Sequence, residues 1–128
     1  MADALLQLDV GLRQAEDNPL NELLRDGVIQ RFEYSHELAL KFLRRALEIV
    51  FGDDVDKMAY NDVLRTGAER GLIDEVDRWF EYRVARNKTS HTYDAATAAA
   101  VFAFARPFLV DARELLLRLN DLSDSTAA

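Results

Sequence analysis

Between residues 28 and 49 the chain sets Val28, Phe32, Ser35, Ala39, Phe42, Ala46 and Ile49 at alternating steps of four and three, while Arg31, Glu37, Lys41, Arg44 and Glu48 fall on other faces. A helical residue advances about 100°, so this spacing gathers the small and apolar side chains into one narrow stripe. A stripe that narrow and that long needs a second long helix to cover it. The pattern therefore predicts an all-α, up-and-down bundle. Asn21 is placed to cap this helix, and Gly52-Asp53-Asp54 to stop it after about Phe51. Gly27 lies inside and costs about 1 kcal/mol relative to Ala, so it marks either a kink or a close helix crossing.

The rest of the chain supplies the covering helices. Leu5, Leu8, Leu12 and Ala15 recur at helical spacing behind a possible Asp3 cap, so residues 3 to 17 read as an amphipathic helix that Asn18-Pro19 ends. Residues 60 to 70 make a short helix closed by Gly71. Asp74 is expected to cap the next helix, whose face carries Val76, Trp79, Phe80, Arg83 and Val84 and whose last turn delivers Arg86. Asn87 to Thr92 compete for backbone hydrogen bonds and should break the helix. Asp94 then caps an Ala-rich helix from about Ala95 to Leu122, with Val101, Phe102, Ala105, Phe108, Leu109, Ala112, Leu115, Leu116 and Leu119 facing the core. Pro107 is expected to kink it, and Ser123 to Ala128 to fray. About five helical segments result, in a single domain over residues 1–128 with neither an internal repeat nor a long linker.

A chain of 128 residues supports one core. It has no Cys, which excludes disulfides and thiolate metal sites, and its start lacks the charged-then-apolar layout of a signal peptide. No uninterrupted apolar run approaches the ~20 residues of a membrane span, so the expectation is a cytoplasmic protein with no membrane partner. The net charge of -7 argues against a surface that holds nucleic-acid backbone everywhere, and any RNA contact must use a local patch. Arg78, Arg83, Arg86 and Lys88, broken only by Glu81, form one beside a strongly acidic N-terminal region.

That patch adjoins Arg86-Asn87-Lys88-Thr89-Ser90-His91-Thr92-Tyr93-Asp94, where a permanent cation, an imidazole and a phenol lie within nine residues. Arg86 and His91 would point to different sides of a continuous helix, but a break lets both turn into one cleft. If residues 91 to 93 are extended, His91 and Tyr93 project to the same side. Such a set suits phosphodiester cleavage without a metal. An imidazole, with an ordinary pKa of about 6.5, can take the proton of an RNA 2'-hydroxyl or give one to the leaving oxygen. A guanidinium can hold the phosphate and stabilise the charge that develops. Two copies in a symmetric dimer would supply both acid and base. A structural reading stands beside this one: Arg86 could bridge to Asp94 or Glu81, His91 could be a capping residue, and Tyr93 could be a core aromatic.

His36 is the other histidine, flanked by Glu33 and Glu37. A partly buried helix histidine is its simpler reading, a metal contact or second site residue the sharper one, with Glu33, Glu37 and Lys41 a solvated stripe. Phe32 and Phe42 read as core, and Lys41-Phe42-Leu43-Arg44-Arg45 as a charged helix face.

The run Arg25-Asp26-Gly27-Val28-Ile29-Gln30-Arg31-Phe32-Glu33-Tyr34-Ser35-His36-Glu37-Leu38-Ala39-Leu40-Lys41 resembles the second helix of the nucleotidyltransferase substrate-binding proteins of the HEPN superfamily. Thr66-Gly67-Ala68, Gly71-Leu72-Ile73-Asp74 and Trp79 are similar to their middle region, and Arg86 to Tyr93 fits their Arg-x4-His-x-Tyr motif in full. Relatives often carry Trp where this chain has Leu40, which we read as a packing difference. The resemblance implies a helical bundle that forms a homodimer with both motifs near a shared cleft. It also implies a small nucleotidyltransferase partner, usually encoded beside it, in what is commonly a toxin and antitoxin pair. It assigns metal-independent endoribonuclease activity to Arg86 and His91, with Asn87 and Lys88 in support. Tyr93 becomes the acceptor of AMP from ATP, which the partner uses, so the chain needs no cofactor of its own. The alternative is a noncatalytic subunit that binds a nucleotide or the partner enzyme.

Overall fold

The long second helix packs against every other α-helix of the chain. The structure, a computed structural model, describes residues 1–127. In chain order the helices are α1 (Ala2–Asp17), α2 (Glu22–Ile49), α3 (Tyr60–Glu69), α4 (Val76–Asn87) and α5 (Ala95–Ala127), with 3-10 turns at Val55–Lys57 and Thr89–His91. Helices α1, α2 and α5 touch one another, and α3 and α4 close the remaining side. The architecture is all-α, as the α2 stripe predicts.

That stripe does not stay straight. Val28, Phe32, Ser35 and Ala39 are buried, but Phe42 and Ile49 are 40% and 65% exposed, and Leu40, Leu43 and Leu47 take the inner positions. Steps of four and three average 3.5 residues, and a helix of 3.6 residues per turn drifts about 20° per heptad away from such a seam. The second half of α2 therefore faces α3, where a Cβ placed at Gly67 would lie 3.1 Å from Leu43 Cδ1. Phe42 is not a core residue. Leu40 is 3% exposed, in keeping with a packing role.

The core centres on Phe108 of α5. Its ring meets Phe32 at 5.1 Å, Tyr82 at 5.5 Å, and Trp79 and His36 at 5.9 Å, mostly edge to face. Tyr82 and Ala85 join Trp79 on the buried side of α4, whereas Val84 is 53% exposed. On the opposite flank Asp9 of α1 is buried yet pairs with Arg13, Arg106 and Arg113. Burial pushes its carboxyl up, but hydrogen bonds from Arg113, Arg106 and Arg13 outweigh that and hold it below the usual range.

Helix ends follow local chemistry with two corrections. Asn21 Oδ1 accepts the Leu24 N–H at 3.1 Å, as a cap should. Asp3 instead lies inside the first turn of α1, and Asp74 caps nothing, because Arg118 holds both its oxygens, at 2.9 and 2.6 Å. Gly52 and Gly71 adopt φ of 71° and 75°, the left-handed geometry that ends α2 and α3. Helix α5 runs through Pro107 and continues five residues past Leu122 to Ala127, while Ala128 lies outside the described residues. By length and composition its segment Ala95–Asp124 is apolar enough to cross a membrane, and 33% of its qualifying 18-residue window is buried within the chain.

Gly27 serves no crossing. A Cβ there meets nothing within 4 Å, and α2 is helical on both sides. Gly27→Ala is therefore expected to raise the unfolding free energy by about 1 kcal/mol, read as a higher denaturation midpoint with an unchanged slope. His36 gives a second prediction. It is 3% exposed, and burial, with Arg86 next and then Arg83, pushes its pKa from 6.5 to about 4 against a partial opposing pull from Glu37. The unfolded chain then takes up a proton between pH 6.5 and 4 that the folded chain refuses. Stability should fall as pH drops through that window, by about 3 kcal/mol in all. Urea unfolding at several pH values should show this component lost in His36→Gln.

Candidate active site at the junction of helices α4 and α5

The junction is built by side chains that satisfy its own backbone. Arg86 stands in the last turn of α4, and Lys88 closes that helix with its N–H on the Ala85 carbonyl at 3.1 Å. The Thr89 hydroxyl donates to the Arg86 carbonyl at 2.8 Å, and the Thr92 hydroxyl to the Thr89 carbonyl at 3.2 Å. These bonds turn the chain through a 3-10 step, where extended chain was the condition for aligning His91 with Tyr93. Asp94 then caps α5, accepting from the Ala96 N–H at 3.4 Å and the Thr97 hydroxyl at 2.8 Å, and these bonds hold its carboxyl below the usual range.

Arg86 crosses to α2. Its Nη2 binds Glu37 closely and lies 3.6 Å from Glu33, with the side chain 28% exposed. Neither Asp94 nor Glu81 is its partner. Glu33 and Glu37 are thus not a free solvated stripe but a carboxylate pair around the motif cation. Their i,i+4 spacing, which stacks the two on one face of α2 beside the buried His36 and Leu40, was the readable signal.

Arg86 and Asn87 also line a cleft of about 580 Å³ between α2, the Val55–Lys57 turn, Tyr60 and α4. His91 and Tyr93 are not among its walls. Thr89 is the inward residue of the turn, at 9% exposure, so Ser90 and His91 face outward and Tyr93 is 88% exposed. The expected convergence of Arg86 and His91 into one cleft is not met within a single chain, and Tyr93 is no core aromatic. The His91 and Tyr93 rings do meet, edge to face, with centroids 6.3 Å apart. Lys88 lies on another side of α4, beside an apolar groove lined by Phe80, Val84 and Phe104. Chemically, the junction offers a tethered guanidinium, and beyond it an accessible imidazole touching an accessible phenol.

His36 is fully buried, where partial burial was expected. Its ring packs on Phe32 and Phe108, while Glu33 and Glu37 are turned to Arg86, so the three do not form a metal set. The cleft also holds residues that reading by motif passes over: Lys41, Arg44, Arg45, Tyr60 and Arg83.

The sequence profile of proteins described as "Nucleotidyltransferase substrate binding protein like" matches residues 1–121. A protein of Haemophilus influenzae described as "Probable ribonuclease HepT" is 39% identical over 103 residues, 79% of this chain and 70% of that one. Among solved structures, a Haemophilus influenzae protein described as having the fold of a substrate-binding domain of a nucleotidyltransferase superimposes with a TM-score of 0.85 at 34% identity, over 93% of this chain and 96% of its own. A crystal structure of a Thermus thermophilus protein gives a TM-score of 0.71 at 27% identity, over 88% and 98% of the two chains. The helical fold, the profile and the sequence likeness agree, and the chain belongs to the nucleotidyltransferase substrate-binding protein-like family.

Proposed function

We propose that this chain is the helical partner of a small nucleotidyltransferase and, as a cytoplasmic homodimer, the ribonuclease toxin of a toxin and antitoxin pair. The observation that carries the reading is the complete pattern of Arg86, His91 and Tyr93 in a chain 39% identical to a probable ribonuclease HepT. Cleavage needs no metal in this scheme. The 2'-oxygen of RNA attacks the adjacent phosphorus, His91 of one copy removes its proton, and the bond from phosphorus to the 5'-oxygen breaks. The second copy's His91 protonates that leaving oxygen, giving a 2',3'-cyclic phosphate and a 5'-hydroxyl. Arg86 balances the charge on the non-bridging oxygens, with Asn87 and Lys88 supporting the strand. The accessible His91 and the apolar surface of α5, with Val110 and Leu117 about 60% exposed, support pairing of two chains.

Tyr93 is the proposed control point. Its oxygen attacks the α-phosphorus of ATP held by the nucleotidyltransferase, pyrophosphate leaves, the phenol proton passes to a base, and an adenylyl ester forms. The phenol is 88% exposed and its ring touches His91, so an added phosphate lies beside the imidazole. The chain itself uses no cofactor.

Purified protein should cut single-stranded RNA in the presence of a chelator. Arg86→Ala and His91→Ala should each slow that cleavage by about 100-fold or more. Unchanged cleavage by both variants would sink the nuclease reading. The engagement of Arg86 by Glu33 and Glu37 favours a second reading, a noncatalytic subunit, in which RNA survives and Arg86→Glu abolishes capture of the nucleotidyltransferase. Co-expression with that enzyme should add the mass of one adenylyl group to the peptide containing Tyr93 and nothing to Tyr93→Phe. An unmodified peptide from cells where the enzyme is active counts against the control.

A further inference from the structure

The cleft behind Arg86 has a charge that the chain as a whole does not. Of the Lys and Arg side chains that no carboxylate pairs among the described residues, Lys41, Arg44, Arg45 and Arg83 line this one cleft, and only Arg31 and Lys88 lie elsewhere. With Arg86, those in the cleft outnumber its acids, Glu37, Glu48 and Asp56. Lys41, Arg44 and Arg45 sit at i, i+3 and i+4 on α2, so they share one face. Two of the four are already positioned. Arg44 Nη2 donates to the Val55 carbonyl at 3.2 Å, and Arg83 donates to Asn61 Oδ1 at 3.2 Å while lying 4.6 Å over the Tyr60 ring. A planar guanidinium backed by an aromatic ring on one face leaves its other face for a stacked base.

The cleft wall also contains an unsatisfied group. His36 is 3% exposed, and its Nε2 has no hydrogen-bond partner. Leaving such a group unpaired costs about 1–3 kcal/mol. A merely solvated helix face explains neither the orphan nitrogen nor the two tethered arginines.

We propose that this cleft seats the RNA strand itself, as a subsite for the nucleotide next to the scissile phosphodiester, with a backbone phosphate on Lys41, Arg44 and Arg45 and a base against Arg83. The subsite rests on the ribonuclease reading for the identity of its ligand. Arg86, shared between the cleft wall and the motif, joins it to the reacting centre.

The test uses the full chain and a short single-stranded RNA with 2'-O-methyl groups, which cannot be cleaved, with affinity read by fluorescence anisotropy at fixed salt. Lys41→Glu/Arg45→Glu should weaken binding about tenfold or more and flatten the salt dependence. Arg25→Glu/Arg65→Glu, an equal charge change away from the cleft, should alter affinity less than about threefold. With cleavable RNA, the cleft variant should raise KM by about tenfold while kcat stays within about twofold. Should the double Glu variant fail to fold by circular dichroism, Lys41→Gln/Arg45→Gln serves, with about a fivefold loss expected. Unchanged affinity, or an equal loss in the control variant, overturns the subsite. Competition by AMP as effective as by the RNA also overturns it, since the cleft then holds a free nucleotide and not a strand. If His91→Ala abolishes cleavage but the cleft variant binds RNA normally, the subsite falls and the nuclease reading stands. If the parent cuts nothing yet loses RNA on cleft mutation, the nuclease reading falls, and with it the place beside a scissile bond, while the seating of an RNA strand in the cleft stands.

Discussion

The ring of Phe108 is the contact on which the arrangement of the other helices depends. It is fully buried and touches two rings of α2, Phe32 and His36, and two of α4, Trp79 and Tyr82. Edge-to-face contacts are directional, so this cluster sets how α4 lies across α2 as well as how closely. The site inherits that alignment. Tyr82 is one helical turn before Arg86, and His36 lies between Glu33 and Glu37, so the cluster that fixes the core also fixes the reach of the motif cation to its carboxylates.

Sequence periodicity was enough for the helices because each buries a stripe whose spacing is local. It failed where the inner face depends on a partner. Phe42 kept the seam's register but not its burial, because the drift of a long helix and the approach of α3 at Gly67 decided which side of α2 turns inward. Caps divided the same way. Asn21 and Asp94 act on N–H groups a few residues away, whereas Asp74 was taken by Arg118, 44 residues distant, which no local rule weighs. In the site, Arg86, His91 and Tyr93 were legible as residue types at a spacing. The carboxylates that hold Arg86 were legible only as a face of α2, because ion pairing between helices is tertiary information.

Charge is segregated along this fold. Asp9 alone gathers Arg13, Arg106 and Arg113, and Asp53, Asp74 and Asp111 engage Arg70, Arg118 and Arg78. These pairings tie α1 to α5, the end of α2 to the end of α3, and α4 to α5. A net charge of -7 is still compatible with a positive cleft, because Lys41, Arg44, Arg45, Arg83 and Arg86 outnumber Glu37, Glu48 and Asp56 along its walls.

The grip of Glu37 on Arg86 has a bearing on selectivity. The guanidinium is held in place without any ligand, so little ordering remains for it to lose, but an arriving anion must exchange with a carboxylate instead of filling a vacancy. What such an anion gains is the difference between two negatively charged partners. A singly charged phosphodiester is poorly distinguished from a carboxylate, whereas a phosphorus centre carrying a second developing charge exceeds it. In the proposed ribonuclease, Arg86 so restrained would respond least to resting substrate and most to charge that exists only while bonds are changing.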